Sequence, residues 1–396
     1  MKFVEQLIII IIIIGFGSVF DILFPTVSLL LLLVPFLLSL TKSEKMSISS
    51  KYFPIVFVFI FCVLISSFIT ETSILLYGSF LVRPFLILFV LAIYNYDYGK
   101  IAENIEKVLV AVAWLALANF FLANLVPSIF TPATNGVYRV NTIFYLFNYL
   151  EPTYRWGLTI YRNQGIFWEP GVLAIMMNFL ILIKVIEKGE KLTKAILPII
   201  VVLTTLSTAG YLGMSIVLIY WIYKKNKQTN KHFYAFFVGA LVLLIFVPIV
   251  IQEVEYKMTI GIGSANARQY DLLVGYEMIK DNPFFGIGLD KNRYLRELSK
   301  YTIDIYNYDD SFARNNSNIF ISLFARLGIP MGLLFLIGIY KQNIFQNRLC
   351  FFLVACVGMM SEPVLFVNFY FLLILSSVKA PLRRQTVQKI SGHSPV

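Results

Sequence analysis

Residues 195–223, AILPIIVVLTTLSTAGYLGMSIVLIYWIY, form an apolar stretch interrupted near its middle by Thr204, Thr205, Ser207 and Thr208. A hydrocarbon core of about 30 Å needs about 20 helical residues, so the stretch fits one tilted membrane helix or two short ones. A single crossing would put the basic loop 224–231 opposite the basic loop 42–51, although basic loops tend to be cytoplasmic. We therefore predict two short helices that form a hairpin.

A second interrupted stretch covers residues 349–378. It is broken at Ser361, Glu362 and Pro363. Only a hairpin places the basic residues that follow, Lys379, Arg383 and Arg384, on the side of the other basic loops. We predict that both hairpin turns face outward and that their irregular backbone is shielded inside a helix bundle.

The composition is that of a membrane protein. The 396 residues are 58% hydrophobic and 14% charged, with a mean hydropathy of +0.77, which excludes an ordinary soluble domain. The first apolar run lacks a convincing small-residue cleavage site, so we expect it to be a retained span. Continuous spans are predicted near 5–21, 25–41, 52–70, 74–94, 107–126, 166–186, 233–252 and 317–340.

With the two hairpins, these spans predict an all-α polytopic bundle of about twelve transmembrane helices. Residues 1–396 then form a single integral membrane domain with both termini cytoplasmic. Two large loops, residues 127–165 and 253–316, lie on the outer side in this topology.

The charge and the cysteines of the chain limit the partners and bonds that can be expected. The net charge is +11, but the cations lie in short loops between spans, as an orientation signal would place them, so we expect no nucleic acid partner. Cys62, Cys350 and Cys356 lie in apolar runs, and we expect no disulfide. The outer loops contain no acidic metal cage, so we predict neither a metal nor another cofactor.

The first outer loop contains an aromatic segment, VNTIFYLFNYL, at 140–150. It is apolar but too short to span a bilayer, and we predict a helix lying at the membrane interface. Tyr145 and Tyr149 would anchor it at headgroup depth. Aromatic rings also stack on sugar faces, but we favour anchoring because it requires no ligand.

The second outer loop is predicted to be folded. Residues 265–280 have apolar side chains at helical spacing, and Asn282-Pro283 marks the end of that helix. The glycines of the next turn, FFGIG at 284–288, permit backbone angles that other residues resist. Asp290 would cap a short helix with Arg293, Arg296 and Lys300 on one face, which is either solvated or phosphate-binding.

A charged segment, RNQGIFWEPG at 162–171, stands at the start of a predicted span. Charge beside lipid is costly unless it faces protein or a watery cavity, so it indicates a functional site. Arg162 offers a planar fork for phosphate, and Glu169 offers a proton acceptor. Alternatively, Glu169 stabilises the start of the helix that Pro170 begins, through the helix dipole.

In their order along the chain, these elements resemble the O-antigen polymerase and O-antigen ligase superfamily, over roughly residues 160–340. The resemblance rests on Arg162-x-x-Gly165-x-Phe167-x-Glu169-Pro170, the break at 204–208, Arg268, NPFFGIG at 282–288, and Asn315-Asn316-Ser317 followed by ARLGIPMG at 325–332. Ligases of the superfamily carry a histidine where this chain has Asn315. The chain's two histidines, His232 and His393, are predicted to be cytoplasmic, and this departure favours the Wzy-type polymerase branch.

The resemblance implies a glycosyltransferase in the bacterial inner membrane that joins undecaprenyl-pyrophosphate-linked oligosaccharide repeat units on the periplasmic face. O-antigen, capsule and exopolysaccharide are all possible products. Membrane lipid is an expected partner, and a chain-length regulator protein is a further candidate. Arg162 and Arg268 match the family's two outer arginines and would neutralise the departing pyrophosphate. Further substrate contacts are predicted for Arg139, Tyr161, Arg293, Arg314, Asn315 and Asn316.

Two assignments stay open at this stage. The role of Glu169 as the base that accepts the proton of the attacking hydroxyl is our own hypothesis. Arg83, inside the fourth span, is either a buried partner for a carboxylate such as Glu362 or part of the path of the lipid phosphate. The competing functions are a flippase for lipid-linked sugar, for which the sequence shows no convincing internal repeat, and an O-antigen ligase.

Overall fold

The fold is mostly helical. The computed structural model describes residues 2–31, 33–34, 37, 48–71, 73, 77–134, 139–150, 152–155, 158–229, 262–298, 300, 318–361 and 368–378. The helices before the first loop are α1 (Lys2–Ile14), α2 (Val19–Leu23), α3 (Pro25–Leu31), α4 (Phe53–Ile69), α5 (Gly78–Ile93) and α6 (Tyr98–Leu125).

Five short strands follow α6: β1 (Thr131–Thr134), β2 (Arg139–Ile143), β3 (Phe147–Tyr149), β4 (Thr153–Arg155) and β5 (Leu158–Ile160). The described helices after them are α7 (Pro170–Leu182), α8 (Ile196–Thr204), α9 (Thr208–Thr229), α10 (Ile262–Asp281), α11 (Lys291–Leu298), α12 (Ile319–Tyr340), α13 (Arg348–Ser361) and α14 (Asn368–Ser376). The strands correct the prediction of an all-α chain, although helices dominate.

Four helical segments in the described part of the chain are long and apolar enough to cross a membrane. They are Ser50–Ile69, Tyr98–Leu125, Pro170–Glu187 and Ile319–Tyr340, and each coincides with a predicted span. The first predicted span is shorter than expected, because α1 ends at Ile14 and a turn follows at 15–17. The predicted span 233–252 lies outside the described residues, and the total of twelve spans is not confirmed.

The predicted break in residues 195–223 is confirmed. α8 ends at Thr204, α9 begins at Thr208, and Leu206 between them has a φ of +48°. A positive φ is unusual for a leucine and turns the chain sharply. The backbone is therefore not one continuous helix.

α8 and α9 run in opposite directions beside α7. Near the start of α9, Gly210 accepts a hydrogen bond from Asn178 of α7 (2.9 Å). Farther along α9, Lys224 donates to the carbonyl oxygen of Ile186, beyond the far end of α7 (2.7 Å). The two helices therefore form the predicted hairpin. We call the end of the bundle that holds its turn the loop end, and the opposite end, with residues 184–194, the basic end.

The second interrupted stretch also returns to its starting end. The Glu187 carboxylate accepts hydrogen bonds from the backbone N–H groups of Gln346 and Asn347 (both 2.8 Å), just before α13 at the basic end. Asn343 donates to the carbonyl oxygen of Ser376, the last residue of α14 (2.7 Å). Both ends of the stretch therefore lie at the basic end, while the interrupting residues 362–367 lie outside the described residues.

The predicted interfacial helix at 140–150 is wrong. β2 pairs antiparallel with both β1 and β3, and Phe144 and Tyr145 form the tight turn between β2 and β3 with φ values of +53° and +57°. Val140 and Thr142 are buried, whereas Asn141 and Ile143 between them are only partly buried. This alternation with a period of two is the pattern of a strand with one buried face.

The helices of the second loop agree with prediction. The helix predicted at 265–280 is α10, and the helix predicted after Asp290 is α11. The Asp290 carboxylate accepts a hydrogen bond from the backbone N–H of Asn292 (3.0 Å). A small core of Tyr270, Val274, Met278, Ile287, Tyr294 and Ala325 joins α10 and α11 to α12.

Candidate functional site

The segment 161–169, which carries Arg162 and Glu169, is held against the loop end of α6. The Asn124 side chain accepts from the backbone N–H of Tyr161 (2.9 Å) and donates to the carbonyl oxygen of Tyr161 (3.0 Å). One amide side chain thus satisfies both backbone groups of the residue before Arg162. The Tyr161 ring lies 4.4 Å from the Tyr149 ring, measured between centroids, and burial raises the pKa of Tyr149.

A buried chain of amides fixes the middle of the segment. Asn119 of α6 donates to the carbonyl oxygen of Asn148 and accepts from its backbone N–H, both at 2.9 Å. The Asn148 side chain donates to the carbonyl oxygen of Gly165 (2.8 Å) and accepts from Gln164. Asn119 and Asn148 are fully buried, where an amide without partners would be costly. The strand β3 therefore connects the segment to α6.

Gly165 allows this close approach. Its φ is +57°, and a Cβ at this position would lie 3.0 Å from the Cβ of Ala116 on α6. Both the backbone conformation and the space therefore favour glycine. The spacing of Gly165 from Arg162, taken from the sequence as a motif, thus reflects a packing requirement.

Arg162 holds the turn between α8 and α9. Its Nε donates to the carbonyl oxygen of Thr205 and its Nη2 to that of Leu206, both at 3.0 Å. Carbonyl groups at the end of a helix lack partners within the helix and carry partial negative charge, so a cation is favourable there. The neighbouring Asn163 donates its backbone N–H to Thr204 (3.0 Å).

Glu169 stands at the junction between the segment and α7. It is the N-cap residue, with φ −135° and ψ 142°, and its side chain makes no capping hydrogen bond. Pro170 occupies the first helical position, where a missing N–H costs nothing. Just before Glu169, Phe167 bridges to Ser18, and Trp168 donates its N–H to Gly17 (3.1 Å). The half-buried carboxylate is thus positioned by backbone contacts and is not used as a cap.

The glycine turn of the second loop inserts into a break in α12. Gly328, inside α12, has a φ of +78° and is not helical. There, Ile329 donates its N–H to Pro283 (2.7 Å) and Gly288 donates its N–H to Arg326 (3.0 Å). A Cβ on Gly286 or on Gly328 would collide with the backbone of the other segment. The two sequence motifs NPFFGIG and ARLGIPMG are therefore one structural unit.

A cation that the sequence reasoning did not select lies beside this unit. The Arg326 guanidinium lies 4.8 Å from the centroid of the Tyr294 ring and donates to the carbonyl oxygen of Leu289 (3.2 Å). Leu289 in turn donates its N–H to the Tyr77 hydroxyl (3.2 Å). The sequence feature that could have indicated Arg326 is an arginine inside an apolar helix.

The other predicted site residues have different outcomes. Arg293 donates to the carbonyl oxygen of Thr70 at the end of α4, and Lys300 pairs with Glu297 (2.7 Å), so these cations of the predicted basic face bind protein groups. Arg139 is exposed at the start of β2. Arg268 lies on α10, but its side chain is not among those that the structure describes. Arg314, Asn315, Asn316 and Glu362 lie outside the described residues.

A comparison with known families identifies the region around these contacts. Residues 194–337 match the family model described as O-antigen ligase. We call this part of the chain the O-antigen ligase-like domain, after the family that it resembles. The predicted resemblance to the O-antigen polymerase and ligase superfamily is thereby confirmed, although the match does not distinguish the two branches. No curated protein and no solved structure matches the chain.

The O-antigen ligase-like domain contains the α8–α9 hairpin and both halves of the glycine unit. Arg162 and Glu169 precede it in sequence. The bonds from Arg162 to Thr205 and Leu206 nevertheless join the charged segment to the domain. Members of the superfamily are glycosyltransferase-type enzymes, and the family match and the apolar helices indicate an integral membrane protein.

Proposed function

We propose that this protein polymerises lipid-linked oligosaccharide repeat units on the outer face of the cytoplasmic membrane. The observation that carries the proposal is the attachment of Arg162 to the O-antigen ligase-like domain, on the same anchored segment as Glu169. In this orientation the loop end faces the periplasm, and both termini are cytoplasmic.

In the proposed reaction, a hydroxyl oxygen of one lipid-linked repeat unit attacks the anomeric carbon of the glycan on a second lipid. A new glycosidic bond forms, and the bond between that carbon and the pyrophosphate oxygen breaks. The hydroxyl proton goes to the Glu169 carboxylate, and the bonding electrons leave with the polyprenyl pyrophosphate. Arg162 and Arg268 balance the charge that develops on the leaving group.

The geometry gives Glu169 a suitable starting position. The carboxylate is half-buried and makes no capping bond, although it stands at the N-cap. A proton acceptor should be held in place by its surroundings. The contacts of Phe167 and Trp168 with residues 17 and 18 supply that positioning.

The polymerase branch is proposed on the basis of sequence. The chain's two histidines, His232 and His393, lie outside the described residues and outside the two outer loops, so a ligase-type histidine base has no counterpart at Asn315. Arg139, Tyr161, Arg314, Asn315 and Asn316 remain proposed substrate contacts, and a chain-length regulator remains a proposed partner.

The test is polymerisation in liposomes that contain purified protein and lipid-linked repeat units, without a lipid A-core acceptor. A polymerase produces a ladder of glycans under these conditions, whereas a ligase produces none because it lacks its acceptor. Movement of the repeat unit between leaflets without a ladder would instead indicate a flippase.

Arg162→Lys is the informative variant because it keeps the positive charge and loses the planar fork. We expect assembly of the protein with a strongly reduced ladder. A full ladder from Arg162→Lys and from Arg162→Ala at matched protein levels would refute a role of Arg162 in the reaction.

A further inference from the structure

Arg83 is a charged residue inside an apolar helix. It is the sixth residue of α5, GSFLVRPFLILFVLAI, and it is only partly exposed. An ionisable side chain within a membrane segment is costly unless it is paired or functional. Its surroundings therefore decide which of these applies.

The pairing of Arg83 is incomplete. Asp21 of α2 attracts Arg83 electrostatically, yet among the described residues the two form no direct ion pair. The Asp21 carboxylate is instead bonded to Ser28. The buried Nε of Arg83 has no hydrogen-bond partner in the described part of the chain. A purely structural ion pair would be expected to close this contact, because a buried donor without an acceptor is destabilising.

The location of the two charges connects both motif regions. α2, which carries Asp21, begins beside Phe167 and Trp168 through the contacts of Gly17 and Ser18. α5, which carries Arg83, begins directly after Tyr77, whose hydroxyl accepts from Leu289 of the glycine unit. Arg83 lies about 9 Å along the helix from Tyr77, given a rise of 1.5 Å per residue. Arg83 is thus within two helical turns of Tyr77, the residue that contacts the glycine unit.

We infer that Arg83 binds a phosphate group of the lipid-linked substrate, with Asp21 as the counter-charge in the empty enzyme. This inference rests on the proposed function for the identity of the substrate. A phosphate offers acceptor oxygens that match the Nε–H and Nη–H edge of a guanidinium. Asp21 lowers the cost of keeping the cation in the membrane before substrate binds, and it competes with phosphate for the cation.

Because Asp21 and the phosphate compete for Arg83, the two variants should change phosphate binding in opposite directions. The experiment measures retention of radiolabelled undecaprenyl diphosphate by the purified full-length protein in phospholipid-free detergent. We expect Arg83→Met to weaken binding by about tenfold or more and Arg83→Lys to weaken it less. Asp21→Asn should strengthen binding several-fold, and the double variant should bind as weakly as Arg83→Met.

A structural ion pair makes the opposite prediction. In that case Asp21→Asn and Arg83→Met would each lower the yield and the unfolding temperature, and the double variant would restore both. That result would overturn the inference. Lys107→Met is the matched control, because Lys107 is an exposed cation on a membrane helix, paired with Glu103, and its loss should leave diphosphate binding unchanged.

Two further measurements distinguish a substrate phosphate from a lipid headgroup, and failure of the Arg83 site from failure of the proposed polymerisation. If phosphatidylglycerol displaces the labelled diphosphate from wild type at equal concentration, Arg83 binds lipid headgroups and the substrate assignment is wrong. A wild type that binds the diphosphate through Arg83 but makes no glycan ladder would refute polymerisation and support the Arg83 site. A ladder formed equally well by wild type and Arg83→Met, with equal diphosphate affinity, would refute the site and support polymerisation.

Discussion

The backbone N–H of Ile287 donates to the carbonyl oxygen of Ala325 at 2.9 Å. In a regular helix that oxygen would accept from Ile329, but the N–H of Ile329 is bonded to Pro283 instead. Pro330 has no N–H at all, so the carbonyl of Arg326 is also released, and Gly288 uses it. The polar groups freed by the break in α12 are therefore satisfied by the glycine turn, as buried backbone requires.

Gly328→Ala should strongly destabilise the protein. The left-handed φ of +78° costs about 1–2 kcal/mol for a residue with a Cβ, and the added Cβ would also collide with the backbone of Phe284. We expect a total loss of at least about 3 kcal/mol, measured by thermal unfolding in detergent. Gly189→Ala is the control, because Gly189 has a φ of +66° but open space around its Cβ position. Equal losses of stability in the two variants would show that the glycine unit can accommodate the added Cβ without a further loss of stability.

Asn119→Ala should detach the first outer loop from α6. The substitution leaves the buried N–H and carbonyl of Asn148 without partners, and each such group costs about 1–3 kcal/mol. Asn119→Asp keeps an acceptor for the N–H but turns a buried carboxylate oxygen toward the Asn148 carbonyl, so it should lose at least as much. The measurement is protease resistance of residues 127–160 together with the unfolding temperature. An Asn119→Ala protein as resistant as wild type would contradict the role given to the amide chain.

Glu106→Gln should destabilise the basic end far more than Glu103→Gln. Glu106 is nearly buried and pairs with Lys184 (3.2 Å) and Lys188 (2.5 Å), whereas Glu103 is exposed and pairs with Lys107. Removing one partner of a buried pair costs about 3–5 kcal/mol, and an exposed pair contributes about 0–1 kcal/mol. Urea or thermal unfolding of the two variants measures the difference, and similar losses would contradict the assignment.

Alkaline pH should reduce the advantage that Glu106 confers. The hydrogen bond to Glu106 raises the pKa of Lys188 above the ordinary lysine value of 10.5. This contribution is fully present below pH 10.5 and is lost as the pH rises through the raised pKa. The stability difference between wild type and Glu106→Gln should therefore stay constant up to about pH 10 and shrink above it. A difference that shrinks between pH 6 and 8 would point to another group.

Glu169→Gln should separate catalysis from folding. The isosteric amide keeps the shape of the side chain and should fold, while loss of the proton acceptor should slow polymerisation by about 10²–10⁴-fold. Glu169→Ala should be equally slow. The glycan ladder at matched expression is the measurement, and normal ladders from both variants would remove Glu169 from the mechanism. Asp309, Asp310 and Glu362 would then be the next candidates.

The hairpin of α8 and α9 could be predicted because loop charge and span length constrain topology independently of packing. The amide chain through Asn119 and Asn148 could not, because its partners are 29 residues apart and depend on the sheet. The sequence does carry a sign of it, since Asn119 and Asn124 are the polar residues in the otherwise apolar part of α6 from 108 to 125. The strands at 139–149 are indicated in the sequence by the alternation of Val140 and Thr142, but the aromatic content of the same segment also fits an interfacial helix.

The two glycine motifs were recognised separately, but their pairing was not predicted. The pairing depends on Gly328 adopting a positive φ in the middle of an apolar helix, and periodicity alone gives no sign of such a break. The role of Arg326 could not be predicted either, because its contacts with Tyr294 and Leu289 exist only after α10, α11 and α12 have packed together.

The spacing of Asn119 and Asn124 on α6 also limits how the protein can change in length. Five helical residues correspond to about 7.5 Å of rise and about 140° of net rotation. One asparagine holds strand β3 and the other holds the residue before Arg162. A single-residue insertion between them would swing one side chain by about 100° away from its partner. Insertions should therefore be tolerated in the tips of the outer loop and rejected within these two turns of helix.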